Sequence, residues 1–148
     1  MADVRENILA RLVEVVATIP NIRSAHRNNV DITEDQKPAV VVLDGDEEAN
    51  DAQNRRSNSP VMVQMTPGIV VFATPNMDGS SLSVMRLDLI KLVLFDTGLN
   101  NLVAKSSPRG DGTIRYLGCQ TDVGWSRTEF VAMSAQFQFK YALQPEQL

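Results

Sequence analysis

From Val131 to Leu143 every second residue is apolar or aromatic: Val131, Met133, Ala135, Phe137, Phe139, Tyr141 and Leu143. The residues between them, Ala132, Ser134, Gln136, Gln138, Lys140 and Ala142, are small or polar. Side chains on a strand alternate faces, so Phe130 to Leu143 is expected to be one long strand with a dry face and a wetter face. That sets the expected architecture, an antiparallel sheet covered on one side.

Helical spacing dominates the other end. Val4, Ile8, Leu9, Leu12, Val15, Val16 and Ile19 recur on one face, with Arg5, Glu6, Asn7, Arg11 and Glu14 between them. Asp3 is a candidate cap, Glu6 completes a capping-box pattern, and Pro20 is expected to end the helix. Ile22 to Arg27 reads as a short strand, Asn28-Asn29 as a turn, and Thr33 to Lys37 as polar loop. Pro38 to Leu43 is β-branched and continuous, the pattern of a buried central strand, and Asp44-Gly45 stops it.

No core residue lies between Leu43 and Val61, so Asp44 to Asn58 is expected to be a mobile acidic loop. In Val61 to Thr74 two β-rich runs flank Pro67-Gly68. The pair is either a hairpin turn or an edge proline in one long bent strand. The bent strand is preferred, because Pro-Gly is not the usual two-residue hairpin type.

Thr74 to Gly79 reads as a loop. A second helix follows, capped by Ser80 or Ser81, with Leu82, Met85, Leu89, Ile90, Val93 and Leu94 apolar. Asp96 to Ala104 supports a further helical turn, Lys105 to Gly112 a loop, and Thr113 to Gln120 a strand. Thr121 to Thr128 is a connection that holds the sole tryptophan, Trp125, and Gln144 to Leu148 is expected to be a flexible tail. The fold class expected is α+β: a mostly antiparallel sheet, two main helices packed on one face, and one domain over residues 1–148.

Composition narrows the function classes. A net charge of −4 argues against a protein held to nucleic acid or anionic membrane by bulk charge. One cysteine, Cys119, excludes an intrachain disulfide framework and fits a reducing compartment. No apolar run reaches membrane-spanning length, and the first residues lack the pattern of a signal peptide.

Chemistry-bearing motifs are scarce. Asp44, Asp46, Glu47, Glu48 and Asp51 put five carboxylates in eight residues. A calcium-binding EF-hand loop needs glycine at its sixth position and glutamate at its twelfth; counted from Asp44, these are Ala49 and Arg55. The charged stretch, with Arg55 and Arg56 behind it, reads instead as a solvated loop that meets a partner or lines a pore. His26 is the sole histidine, and a nucleophilic pair with Cys119 is the one catalytic arrangement these residues leave open. Arg109-Gly110-Asp111 reads as a turn between Pro108 and Gly112. Glycine-rich phosphate loops are absent, and few aromatics interleave with basic residues. No enzyme, metal or cofactor is therefore expected.

Several segments together carry a family resemblance. They are Val4 to Leu12, Ile19-Pro20-Asn21-Ile22, Arg27-Asn28-Asn29, Pro38 to Glu48, Met65-Thr66-Pro67, and Tyr116 to Asp122 before the closing strand. With these, the chain resembles the tail-terminator (tail-completion) proteins of tailed bacteriophages and prophages, a family similar in size and element order to the lambda tail terminator. Neck and head-completion proteins of similar size are the nearest alternative.

The resemblance implies a structural, non-catalytic virion protein of the tail or neck, assembled in the host cytoplasm. It implies a ring, usually a hexamer, that stops tail-tube polymerisation and offers a surface to the head connector. Partners would be other copies of the chain, the tail tube protein, and the neck or connector protein. Double-stranded DNA would pass through the lumen without specific binding. Asp46, Glu47, Glu48, Arg55 and Arg56 are the candidate interface or lumen groups.

Overall fold

The computed structural model describes residues 3–49, 60–74, 77, 79–107, 109–123 and 131–143. Along the chain lie α1 (Val4–Val16), β1 (Ser24–Arg27), a 3-10 turn (Glu34–Gln36), β2 (Ala39–Leu43), β3 (Glu47–Ala49), β4 (Val61–Met65) and β5 (Gly68–Ala73). Then follow α2 (Gly79–Phe95), α3 (Thr97–Ser106), β6 (Thr113–Val123) and β7 (Val131–Leu143). The class is α+β, with three helices against one seven-stranded, mostly antiparallel sheet. The flexible tail and Trp125 expected from the sequence lie outside the described residues.

Strand β7 organises the sheet. It pairs antiparallel with β6 along one side and with both β4 and β5 along the other. The pairing β4 makes (Met65 opposite Phe139) and the pairing β5 makes (Gly68 opposite Gln136) belong to one unbroken register. Residues 61–73 are therefore a single strand, interrupted at Thr66-Pro67 without a slip. Proline lacks the N–H that a ladder needs, so the pairing opens there and resumes.

The next run repeats this. β2 pairs with β5 up to Leu43 opposite Gly68, and β3 pairs with β4 from Glu47 opposite Met65. Residues 44–46 face only 66–67, a one-residue bulge in which Gly45 adopts φ +71°. Short β1 then adds to β2 in parallel.

The dry face is the odd-numbered side of β7. Phe137, Phe139 and Tyr141 are fully buried, joined by Val40, Val42, Met65, Ile69 and Val71. The helices supply Ile8, Leu12, Val16, Leu89, Val93, Leu99 and Val103 to the same core. Burying each such large apolar side chain favours folding by roughly 1.5–3 kcal/mol. Helix α1 lies over β1 and β2, while α2 and α3 lie over β6 and β7.

Several local expectations are corrected. The α-helical part of α1 stops at Val16, ahead of Pro20, because the chain tightens into turns: Thr18 N and Ile19 N donate to Val15 O and Val16 O. Asp3 does cap α1, accepting from Arg5 N at 3.1 Å, but Glu6 does not close a capping box. Its carboxylate accepts two bonds from Arg27 instead, and such charge-assisted pairs are stronger. The expected turn after α2 is the full helix α3, which joins the two main helices over the sheet among the described residues. Asp96 caps α3, accepting from Leu99 N at 2.8 Å, while Arg11 binds the same carboxylate at 2.7 and 3.0 Å. Within the expected acidic loop, Glu47–Ala49 is a strand, held by its ladder to β4 and not by any apolar residue of its own.

Candidate functional site

Asp46, Glu47 and Glu48 lie on the β3 arm, and all three are exposed. Strand geometry separates their faces. Glu47 stands opposite buried Met65, on the helix side of the sheet, where it accepts a hydrogen bond from the Tyr141 hydroxyl. Burial, reinforced by Glu47, pushes the Tyr141 phenol well above its usual pKa, so the hydroxyl stays a donor. Glu48 stands opposite Gln64 on the other face, 3.4 Å from its amide nitrogen.

Asp44 has a structural task. Arg27 binds it through Nε at 2.9 Å and Nη2 at 3.1 Å while also gripping Glu6, so one guanidinium ties α1, β1 and the end of β2 together. Hydrogen bonds from Arg27 hold both carboxyls below the usual carboxylate range. Asp51, Arg55 and Arg56 lie outside the described residues. Of the five candidate groups, Asp46, Glu47 and Glu48 share one arm.

The two sides of the sheet carry opposite charge. Residues 23–48, which form the β1–β3 side, hold seven carboxylates and three cations. Residues 79–115, which form α2, α3 and the start of β6, hold five cations and three carboxylates. Among the described residues, Arg86, Lys91, Lys105 and Arg115 form no ion pair. The sequence signal for this polarity was available, but only the strand order places the segments at opposite edges.

Helix α2 carries a feature the sequence reading passed over. Its core side holds Leu82, Met85, Leu89 and Val93, yet Val84, Leu87 and Phe95 face outward. Phe95 is 77% exposed. Asp88 and Lys91 share that outward side at helical spacing with Val84, Leu87 and Phe95. Lys91, Leu92, Phe95 and Thr97 border an open hollow of about 410 Å³ at the α2–α3 corner.

On the helix-free face the strand irregularities align. The Gly45 bulge, the Thr66-Pro67 gap and a bulge between Tyr116 and Gly118 of β6 all lie at one level of the sheet. They form a hollow of about 540 Å³, bordered by Leu43, Thr66, Leu117, Ser134 and Gln136 among others. Its side chains offer hydroxyl and amide groups. Cys119 also borders it, but burial raises the thiol pKa, so the nucleophilic thiolate is disfavoured.

His26 lies on β1 and Cys119 on β6, near opposite edges of the sheet, so they form no pair. His26 Nε2 sits 2.9 Å from Ser24 Oγ instead. Arg109-Gly110-Asp111 is a turn: Gly110 has φ +66° and its amide donates to Ser107 O at 3.0 Å. Among the described residues no group of three His, Cys, Asp or Glu is placed to hold a metal, and no helix is long and apolar enough to cross a membrane.

No protein-family model matches the chain, and no curated protein matches it. Among solved structures it is similar to a chain described as "Virion of native gene transfer agent (GTA) particle", with TM-score 0.47, 9% identity, and 94% of each chain covered.

Proposed function

We propose that the protein is a structural subunit of a tailed-phage virion, which closes into a ring, ends tail-tube polymerisation and joins the tube to the neck. The observation that carries this reading is the sequence resemblance, which runs from Val4 to the closing strand. The geometry supports it. A ring of identical subunits needs two different patches that fit each other, and this sheet has unlike edges. One edge carries exposed Asp46, Glu47 and Glu48; the other lies beside α2, whose Val84, Leu87 and Phe95 are exposed.

In this reading six copies, the number usual in the family it resembles, surround a lumen through which double-stranded DNA passes. Carboxylates on an arm that faces the lumen would repel the phosphate backbone and keep DNA sliding. Asp46, Glu47 and Glu48, with Arg55 and Arg56, would be the lumen or contact groups. The tail tube protein would bind one face of the ring and the neck or connector protein the other.

Deleting the gene from its phage tests the function. Tails of irregular length, unattached to heads in electron micrographs, are expected. Tails of normal length joined to heads would overturn the proposal.

A further inference from the structure

Strand β6 ends the sheet on one side. Among the described residues it pairs with β7 alone, from Thr113 to Val123. Its other side presents a row of N–H and C=O groups that fits one more strand. Thr113, Arg115, Leu117, Gln120 and Thr121 are exposed along it. Short length, proline or a bulge commonly blunts such an edge. β6 is 11 residues long, holds no proline, and has only the bulge at Leu117.

The strand is its own complement. Cys119 stands opposite Ala135 of β7, Arg115 opposite Gln138 and Asp122 opposite Ala132, so the two charged residues lie three β7 positions to either side of Cys119. A second copy turned about a two-fold axis at Cys119 runs antiparallel and sets Arg115 opposite Asp122 of the other copy. Tyr116 then meets Thr121, Gly118 meets Gln120, and Ile114 meets Val123. Directly opposed residues must share a face of the sheet. They do so here: Arg115 and Asp122 both take even-numbered β7 positions, on the helix-free face. The register that pairs the two charges also overlaps nearly the whole strand. Within its own copy Arg115 forms no ion pair among the described residues.

We propose that two copies pair edge to edge through β6, antiparallel about a two-fold axis at Cys119, to form one continuous sheet. The contact is closed, because both copies use the same edge and leave none for a third. It does not build a ring and does not rest on the ring reading. It is a resting form of the free protein, in which the β6 edge is covered. Arg86 lies near Cys119 on the helix side and brings a like charge to the axis from each copy, so the two Arg115–Asp122 pairs on the other face decide whether the copies hold together.

Sedimentation of the full chain tests it, with folding checked by circular dichroism. The natural chain should form dimers, and Arg115→Asp and Asp122→Arg should each weaken them at least tenfold. Mixed one to one, or combined in one chain, the two changes again oppose unlike charges, so dimers should return. Glu47→Lys, at the far edge, should leave them unchanged. A second measurement needs no variant. Cys119 is the sole cysteine and meets its own counterpart at the axis, where opposed Cβ atoms stand about 4.5–5.5 Å apart, a small shift from disulfide geometry. Diamide, which takes up the two thiol hydrogens, should link the natural dimer covalently, and Arg115→Asp should suppress that link. A chain monomeric at every concentration overturns the proposal. So does a dimer that fails to cross-link or that the mixture does not restore. A hexamer without the cross-link overturns it as well, and leaves the ring reading standing.

Discussion

The carbonyl of Pro67 accepts a hydrogen bond from the amide of Phe137 at 3.2 Å, across the gap where β4 ends and β5 begins. This bond keeps the long strand seated on β7 while the proline interrupts its ladder. It also places Phe137 level with the bulges in the neighbouring strands. The side chain of Phe137 is fully buried and tilts against Tyr116, ring centroids 5.5 Å apart.

Phe137 is therefore a sensitive point of the core. Phe137→Ala should cost about 3–5 kcal/mol in urea unfolding, as large-to-small core changes do. Phe137→Asp would add the burial of an unpaired charge and should abolish cooperative folding. A stable, cooperatively folding Asp variant would mean that the register of β7 is inverted.

Gly45 is held by geometry. Its φ of +71° disfavours any side chain, and a Cβ there would lie 2.1 Å from the Thr66 carbonyl oxygen. Gly45→Ala should destabilise the chain by about 1–3 kcal/mol, the usual cost of a strained backbone position. Hydrogen exchange should quicken first in the amides of residues 46–49, because the arm pivots on this bulge.

Acid should weaken the clamps on α1. Arg27 lowers the folded-state pKa of Asp44, and Arg11 that of Asp96. A depressed carboxylate pKa contributes stability above the unfolded value, about 3.9, and that contribution is lost as pH falls through the folded value. Urea midpoints should therefore fall between about pH 5 and pH 2. Asp44→Asn/Asp96→Asn should be less stable at pH 7 and show a flatter profile. A slope equal to that of the natural chain would mean these clamps carry none of the acid sensitivity.

The exposed acidic arm should behave oppositely to the core. Glu47→Lys/Glu48→Lys should leave the subunit folded, because neither side chain is buried. The Tyr141 hydroxyl would lose its acceptor, a loss on the order of 1 kcal/mol. If the proposed function holds, the same double change in phage should disturb tail completion or DNA passage, visible as aberrant tails in micrographs.

Period-two alternation made β7 legible, and period-3.6 spacing did the same for α1, because each buries one face and exposes the other. The bent strand across Pro67 was preferred over a hairpin on other grounds, that Pro-Gly is not the usual two-residue hairpin turn, and the unbroken register against β7 decides between the two. β3 was invisible because Glu47, Glu48 and Ala49 are all exposed, so nothing in their letters alternates; β4 imposes the strand. The full length of α3 was hidden in Lys105 and Ser106, which read as turn residues until Ser106 Oγ is seen accepting from Ala142 N at 3.0 Å. For the candidate site, the carboxylates were found in the sequence. Their separation onto two faces, and the cations at the far edge, required the strand order.

Strand β7 lies inside the sheet yet comes from residues 131–143. On the ribosome, every other strand emerges before the one that joins β6 to the rest. Until residue 143 is translated, the Val61–Ala73 run lacks its ladder to β7, and α2 and α3 lack one of the strands they lie over. At roughly 5–20 residues per second that exposure lasts for seconds, long enough for a chaperone to intervene. A message cut short before β7 would therefore leave β6 without the strand that joins it to β4 and β5.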